Sequence, residues 1–108
     1  MDRSNNKDFN KAAREAKKEI RQESREDRKV VNNVSKDLRK DAKEDFKQYR
    51  DVMRNSDSYF AEDHISEAKQ DMKDVRKELK EEAKDLRKEI RNDAKEDINF
   101  INDLEKED

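Results

Sequence analysis

The chain has 108 residues, of which 54% are charged and 29% hydrophobic, with no glycine, proline, cysteine or tryptophan and a formal net charge of −2. This length holds one small domain, the missing cysteines exclude a disulfide frame and thiol chemistry, and no apolar run nears the ~20 residues that span a bilayer. Without glycine or proline the usual turn and helix-breaking chemistry is gone, and the remaining mixture of charged residues and alanine suits long helices.

The first predicted element covers about residues 4–54. It opens with MDRSNNKDFNKAAREAKK, which lacks the apolar core of a signal peptide, so a cytoplasmic setting is expected. Apolar residues follow at Phe9, Ala13, Ala16 and Ile20, then at Val31, Val34, Leu38, Ala42, Phe46, Tyr49 and Met53. Steps of three and four place them on one helical face. Val31, Ala42 and Met53 are eleven apart, a period close to that of a straight helix. Asn32–Asn33 is a softer point whose break would give three helices. With no glycine or proline there, an unbroken first helix is expected.

Residues 55–58 read as the turn, because Asn55, Ser56, Asp57 and Ser58 are types that cap free backbone groups. The tip that follows carries Tyr59, Phe60 and the only histidine, His64. Two aromatic side chains at a bend suit a partner contact; capping the end of the core is the favoured alternative. One histidine without a paired Glu-x-x-His arrangement does not read as a metal site.

The second element is predicted over about 59–105, with its stripe at Ala61, Ile65, Ala68, Met72, Val75, Leu79, Ala83, Leu86, Ile90, Ala94, Ile98, Ile101 and Leu104. Folding the chain about residue 57 sets Phe46 against Ala68, Ala42 against Met72 and Val31 against Ala83, large residues facing small ones as close packing requires. The fold class is therefore all-α: two long amphipathic helices in an antiparallel hairpin, a hendecad-type coiled coil that is expected to be oligomeric. A three-helix arrangement or a long parallel coiled coil is the alternative. The phrases DLRKDAKEDFKQ (37–48) and EIRNDAKEDINF (89–100) share six identical positions at an offset of 52. They suggest two copies of one helix about a pseudo-two-fold axis through the Val31–Ala83 layer.

Charge complicates that picture. Residues 1–54 carry 17 basic and 12 acidic side chains, a surplus of five positive, and residues 55–108 carry 11 and 18, a surplus of seven negative. In each arm the basic residues fall on one flank of the stripe (Arg14, Arg21, Arg25, Arg28; Lys80, Lys84, Arg91) and the acidic ones on the other (Glu15, Glu19, Glu23; Glu78, Glu82, Glu89), in the same rotational sense. Parallel arms would join opposite charges, whereas antiparallel arms set like beside like. A basic face and an acidic face result, and with so narrow a stripe the hairpin is expected to bind itself or a protein partner.

Ser24 and Asp27 interrupt the stripe opposite Ile90 and Leu86, leaving an apolar patch beside Arg21, Arg25 and Arg28 as a candidate contact. Phe100 lies off the stripe and is a candidate oligomer contact. No nucleophile elbow, phosphate loop or zinc motif is present, so the chain reads as non-enzymatic and without cofactor. A basic face could also track phosphates, although basic and aromatic residues are not interleaved as nucleic-acid binders have them. The alanine-rich stripe with its acidic flank suits a lipid surface poorly.

Overall fold

The computed structural model of the chain describes residues 3–56 and 58–107, with side chains from residue 7 onward. Asp57, at the centre of the predicted turn, lies outside the described residues. The chain is all-helical, with α1 at Arg3–Asn55 and α2 at Ala61–Lys106, and forms a helical hairpin. Helix α1 runs unbroken through Asn32–Asn33; both residues keep a backbone donor, and asparagine costs only a fraction of a kcal/mol within a helix. Two compact units result, a terminal unit of Met1–Val30 with Leu86–Asp108 and a hairpin unit of Val31–Asp85.

In the hairpin unit the antiparallel sense is fixed by two contacts. The Ser35 hydroxyl donates to the Leu79 carbonyl at 3.4 Å, and Arg54 lies 3.8 Å from the Glu62 carboxylate. Serines replace the missing glycine at the turn. The Ser56 amide donates to the Val52 carbonyl and its hydroxyl to that of Met53, closing α1, while the Ala61 amide donates to the Ser58 carbonyl and opens α2. Glu62 and Asp63 occupy the first turn of α2, where the helix dipole favours negative charge. Ala61 and Ile65 are buried and fill the end of the core. Tyr59, by contrast, is 93% exposed and rests edge-on against Phe60, ring centres 5.2 Å apart. Phe60 is exposed as well, so the core at this end is closed by Ala61 and Ile65 rather than by the tip aromatics.

In the terminal unit, Lys17 donates to the Glu105 carboxylate at 2.6 Å and to the Asn102 side-chain oxygen at 2.9 Å. Both charged side chains are well covered, so each satisfies the other where burial would otherwise be costly. Ala13 and Ser24 are buried here.

Covered residues recur with steps of four, four and three. On α1 they are Ile20, Ser24, Arg28, Val31, Ser35, Arg39, Ala42, Phe46, Arg50 and Met53, and on α2 the same rhythm runs from Ala61 to Ile101. The eleven-residue period is thus present, but its occupants differ from expectation. Val34, Leu38, Tyr49, Val75 and Leu86, expected inside, are exposed, as are the outer stripe members Phe9 and Leu104. The helices meet about one residue further round, on Ser24, Ser35 and Ala83, with Arg28, Arg39, Arg50 and Arg76 half-covered beside them.

Two physical effects favour this displaced seam. Small side chains at its centre let the helices approach until the Ser35 hydroxyl reaches the opposite main chain, a distance that a leucine or tyrosine there would forbid. Arginine then covers the seam with its aliphatic stem while the guanidinium stays near water. Arg28 and Arg39 each use Nε to donate to the carbonyl of the serine four residues earlier, Ser24 and Ser35, at 3.1 and 3.2 Å. Arg76 lacks such a bond; its buried Nε has no hydrogen-bond partner among the described residues.

The internal repeat keeps most of its surroundings, since Ala42 and Ala94 are both half-buried, as are Phe46 and Ile98, with two exceptions. Arg39 is half-buried and Arg91 exposed, while Leu38 is exposed and Ile90 half-buried. An offset of 52 is not a whole number of eleven-residue periods, so the two copies differ at this edge of the seam.

A displaced seam inverts the usual ranking of substitutions. Ser35, 6% exposed, should not tolerate enlargement: Ser35→Leu is expected to cost about 1–3 kcal/mol in urea unfolding through overpacking. Leu38→Ser, at a side chain 46% exposed, is expected to cost about 1 kcal/mol or less.

Candidate interaction site

The Ser24 layer of the terminal unit is where the two flanks can be seen apart. Arg21 and Arg25 are four residues apart, as are Arg91 and Lys95, Glu23 and Asp27, and Asp93 and Asp97, so each pair forms one row along its helix. Two grooves open on either side of the layer, both lined by Ser24 and Ala94. One, of about 340 Å³, gathers Arg21, Arg25, Arg28, Arg91 and Lys95 over a floor that includes Ile98. The other, of about 140 Å³, gathers Glu23, Asp27, Asp93 and Asp97 over Ile20 and Ile90. Like flanks meet like, as the shared rotational sense requires of an antiparallel pair.

Among the described residues, no carboxylate pairs with Arg21, Arg25, Arg91 or Lys95, and no cation pairs with Glu23, Asp27, Asp93 or Asp97. Each groove thus concentrates one sign of charge beside apolar surface, an arrangement that focuses the field on an incoming group of opposite sign. It offers charge and apolar contact, and no nucleophile set against a base. Among the described residues no group of three or more histidines or acids is placed to hold a metal, and no helix is long and apolar enough to cross a membrane.

No family model, curated protein or solved structure matches the chain.

The residues singled out in the sequence fall into separate places. Arg21, Arg25 and Arg28 do line one groove, but the apolar floor beside them is Ala94 and Ile98 rather than Leu86 and Ile90. Ile90 belongs to the acidic groove, and Leu86 is exposed in the terminal unit, as is Phe100. Ser24 is a buried seam residue rather than a gap, and Asp27 points a carboxylate into the acidic groove. Tyr59 and Phe60 stand exposed at the tip of the hairpin unit. Sequence reasoning missed Lys95, Asp93 and Asp97; the signal was their place in the repeated DAKED phrase, whose second copy has both charge types four residues from a like partner.

Like charges crowded in one groove oppose folding slightly. Asp97→Lys, which sets a cation beside Asp93, Glu23 and Asp27, is expected to raise stability by about 0.5 kcal/mol in urea unfolding. A layout with complementary flanks would lose stability with the same change.

Proposed function

We propose that the chain is a non-enzymatic protein–protein interaction module, an assembly element, adaptor or small protein inhibitor, whose contacts are the two grooves at the Ser24 layer. The observation that supports this reading is the pairing of unneutralised charge with apolar floor in both grooves, since complementary charge across an interface steers the partner and fixes its register while apolar contact adds affinity. Exposed Leu38, Tyr49, Tyr59, Phe60 and Val75 add the kind of apolar and aromatic surface from which binding hot spots are built. On this reading the four-four-three seam is a hendecad-type coiled coil, and the wild-type chain self-associates. Its setting is the cytoplasm. A phosphate-tracking role for the basic groove is the second reading, weakened by the acidic groove across the same layer.

Pull-down of the tagged chain from host lysate, with and without nuclease, tests the reading. A stoichiometric protein partner that survives nuclease and is lost on Arg25→Glu/Lys95→Glu or Asp27→Lys/Asp97→Lys is the expected result. Recovery that vanishes with nuclease would replace this reading with nucleic-acid binding.

A further inference from the structure

The two grooves of the terminal unit match each other, not merely in sign but in spacing. On α1 the basic row is Arg21 and Arg25 and the acidic row Glu23 and Asp27; on α2 they are Arg91 and Lys95 against Asp93 and Asp97. Each acidic row is its basic row moved on by two residues, about 3 Å along the helix. Because the helices run antiparallel, the two displacements point in opposite directions, and the centres of the four-cation and four-carboxylate sets fall at the same height. A second copy laid with its acidic groove over the basic groove of the first would bring four carboxylates over four cations at equal pitch. Ile20 and Ile90 of one copy would meet Ala94 and Ile98 of the other.

The hairpin unit, taken by itself, divides in the same way. Three residues after the seam positions Ser35, Phe46 and Met72 come the exposed Leu38, Tyr49 and Val75; four residues after them come the half-covered Arg39, Arg50 and Arg76. Since successive helix positions turn by about 100°, the apolar set lies on one flank and the arginines on the other. Each unit therefore keeps its basic side chains on one flank, and the flank across the seam is acidic in the terminal unit and apolar in the hairpin unit.

We infer that the partner of these grooves is a second copy of this chain, stacked basic groove on acidic groove. This rests on the interaction-module reading and names its partner. The contact is heterologous: a copy that uses its basic groove leaves its acidic groove free for the next. Such contacts propagate unless the rotation closes a ring. The stack grows with protein concentration and dissolves as salt screens the facing charges.

The test is sedimentation velocity of the purified full chain across a concentration series, at about 20 mM and about 500 mM salt. The expected result is a series of species at two or more times the 13.0 kDa monomer mass in low salt, and monomer in high salt. Asp27→Lys/Asp97→Lys sets two lysines beside the remaining Glu23 and Asp93 and cancels the charge of the acidic groove, and Arg25→Glu/Lys95→Glu sets two glutamates beside the remaining Arg21, Arg28 and Arg91 and nearly cancels that of the basic groove, each leaving the other groove intact. Each variant alone stays monomeric, and an equimolar mixture restores species larger than monomer. Circular dichroism confirms that each variant retains wild-type helix content, and Asp97→Lys or Lys95→Glu alone serves as the variant if a double substitution unfolds. Wild-type chain that is monomeric in low salt overturns the inference, as does an assembly indifferent to salt or a mixture that stays monomeric. If purified wild type is monomeric while the variants still lose a lysate protein, the stacking fails and the interaction-module reading stands. If neither variant changes either measurement, both fail.

Discussion

Close approach of two helices over small side chains is the constraint on which the rest of this structure depends. Ser24, Ser35 and Ala83 occupy the centre of the seam, and the Ser35 hydroxyl bonds directly to the backbone of the opposite helix. In the middle of the seam, the eleven-residue periods that begin at Ser24, Ser35, Phe46 and Met72 each hold one apolar residue on one side and one arginine stem on the other. The large apolar residues are displaced outward by that geometry. Leu38, Tyr49 and Val75 would pack well between widely spaced helices; between closely spaced ones they flank the seam and stay exposed.

Charge follows from the same rotation. Once Arg28, Arg39, Arg50 and Arg76 lie along the seam, the residues one step further round on that flank are also basic, and those on the other flank are acidic or apolar. An antiparallel pair cannot neutralise such flanks within itself, because its basic flanks adjoin. Exposed charge pairs contribute only about 0–1 kcal/mol each, so packing at the seam decides the direction of the helices and the charges accept the consequence. The two grooves at the Ser24 layer are that consequence in its clearest form, and their lack of internal partners makes them available to other molecules.

Much of this was legible before any coordinates. The two helices, the unbroken passage through Asn32–Asn33, the eleven-residue period and the meeting of like flanks all follow from periodicity and the absence of glycine and proline. The position of the seam was not legible, because hydrophobicity ranks leucine and tyrosine above serine and arginine. The backbone contact of Ser35 and the arginine stems reverse that order only when the spacing of the helices is known. The repeat is a partial guide: at an offset of 52 Ala42 and Ala94 share the seam, as do Phe46 and Ile98, while the pairs Leu38/Ile90 and Arg39/Arg91 differ. Lys17 and Glu105, a well-covered ion pair, were hidden because each looks like one more charge in a charged chain. The only mark on Lys17 is its place eleven residues before Arg28.

The position of the seam is tested most directly by thiol labelling of single-cysteine variants in a chain that has no cysteine of its own, at about 0.5 M salt so that surface association is screened. Ser24→Cys and Ser35→Cys should react slowly, protected by the opposite helix, while Leu38→Cys and Tyr49→Cys should react at the rate of an exposed thiol. Fast labelling at Ser24 and Ser35 together with protection at Leu38 and Tyr49 would return the core to the large apolar residues and contradict the account.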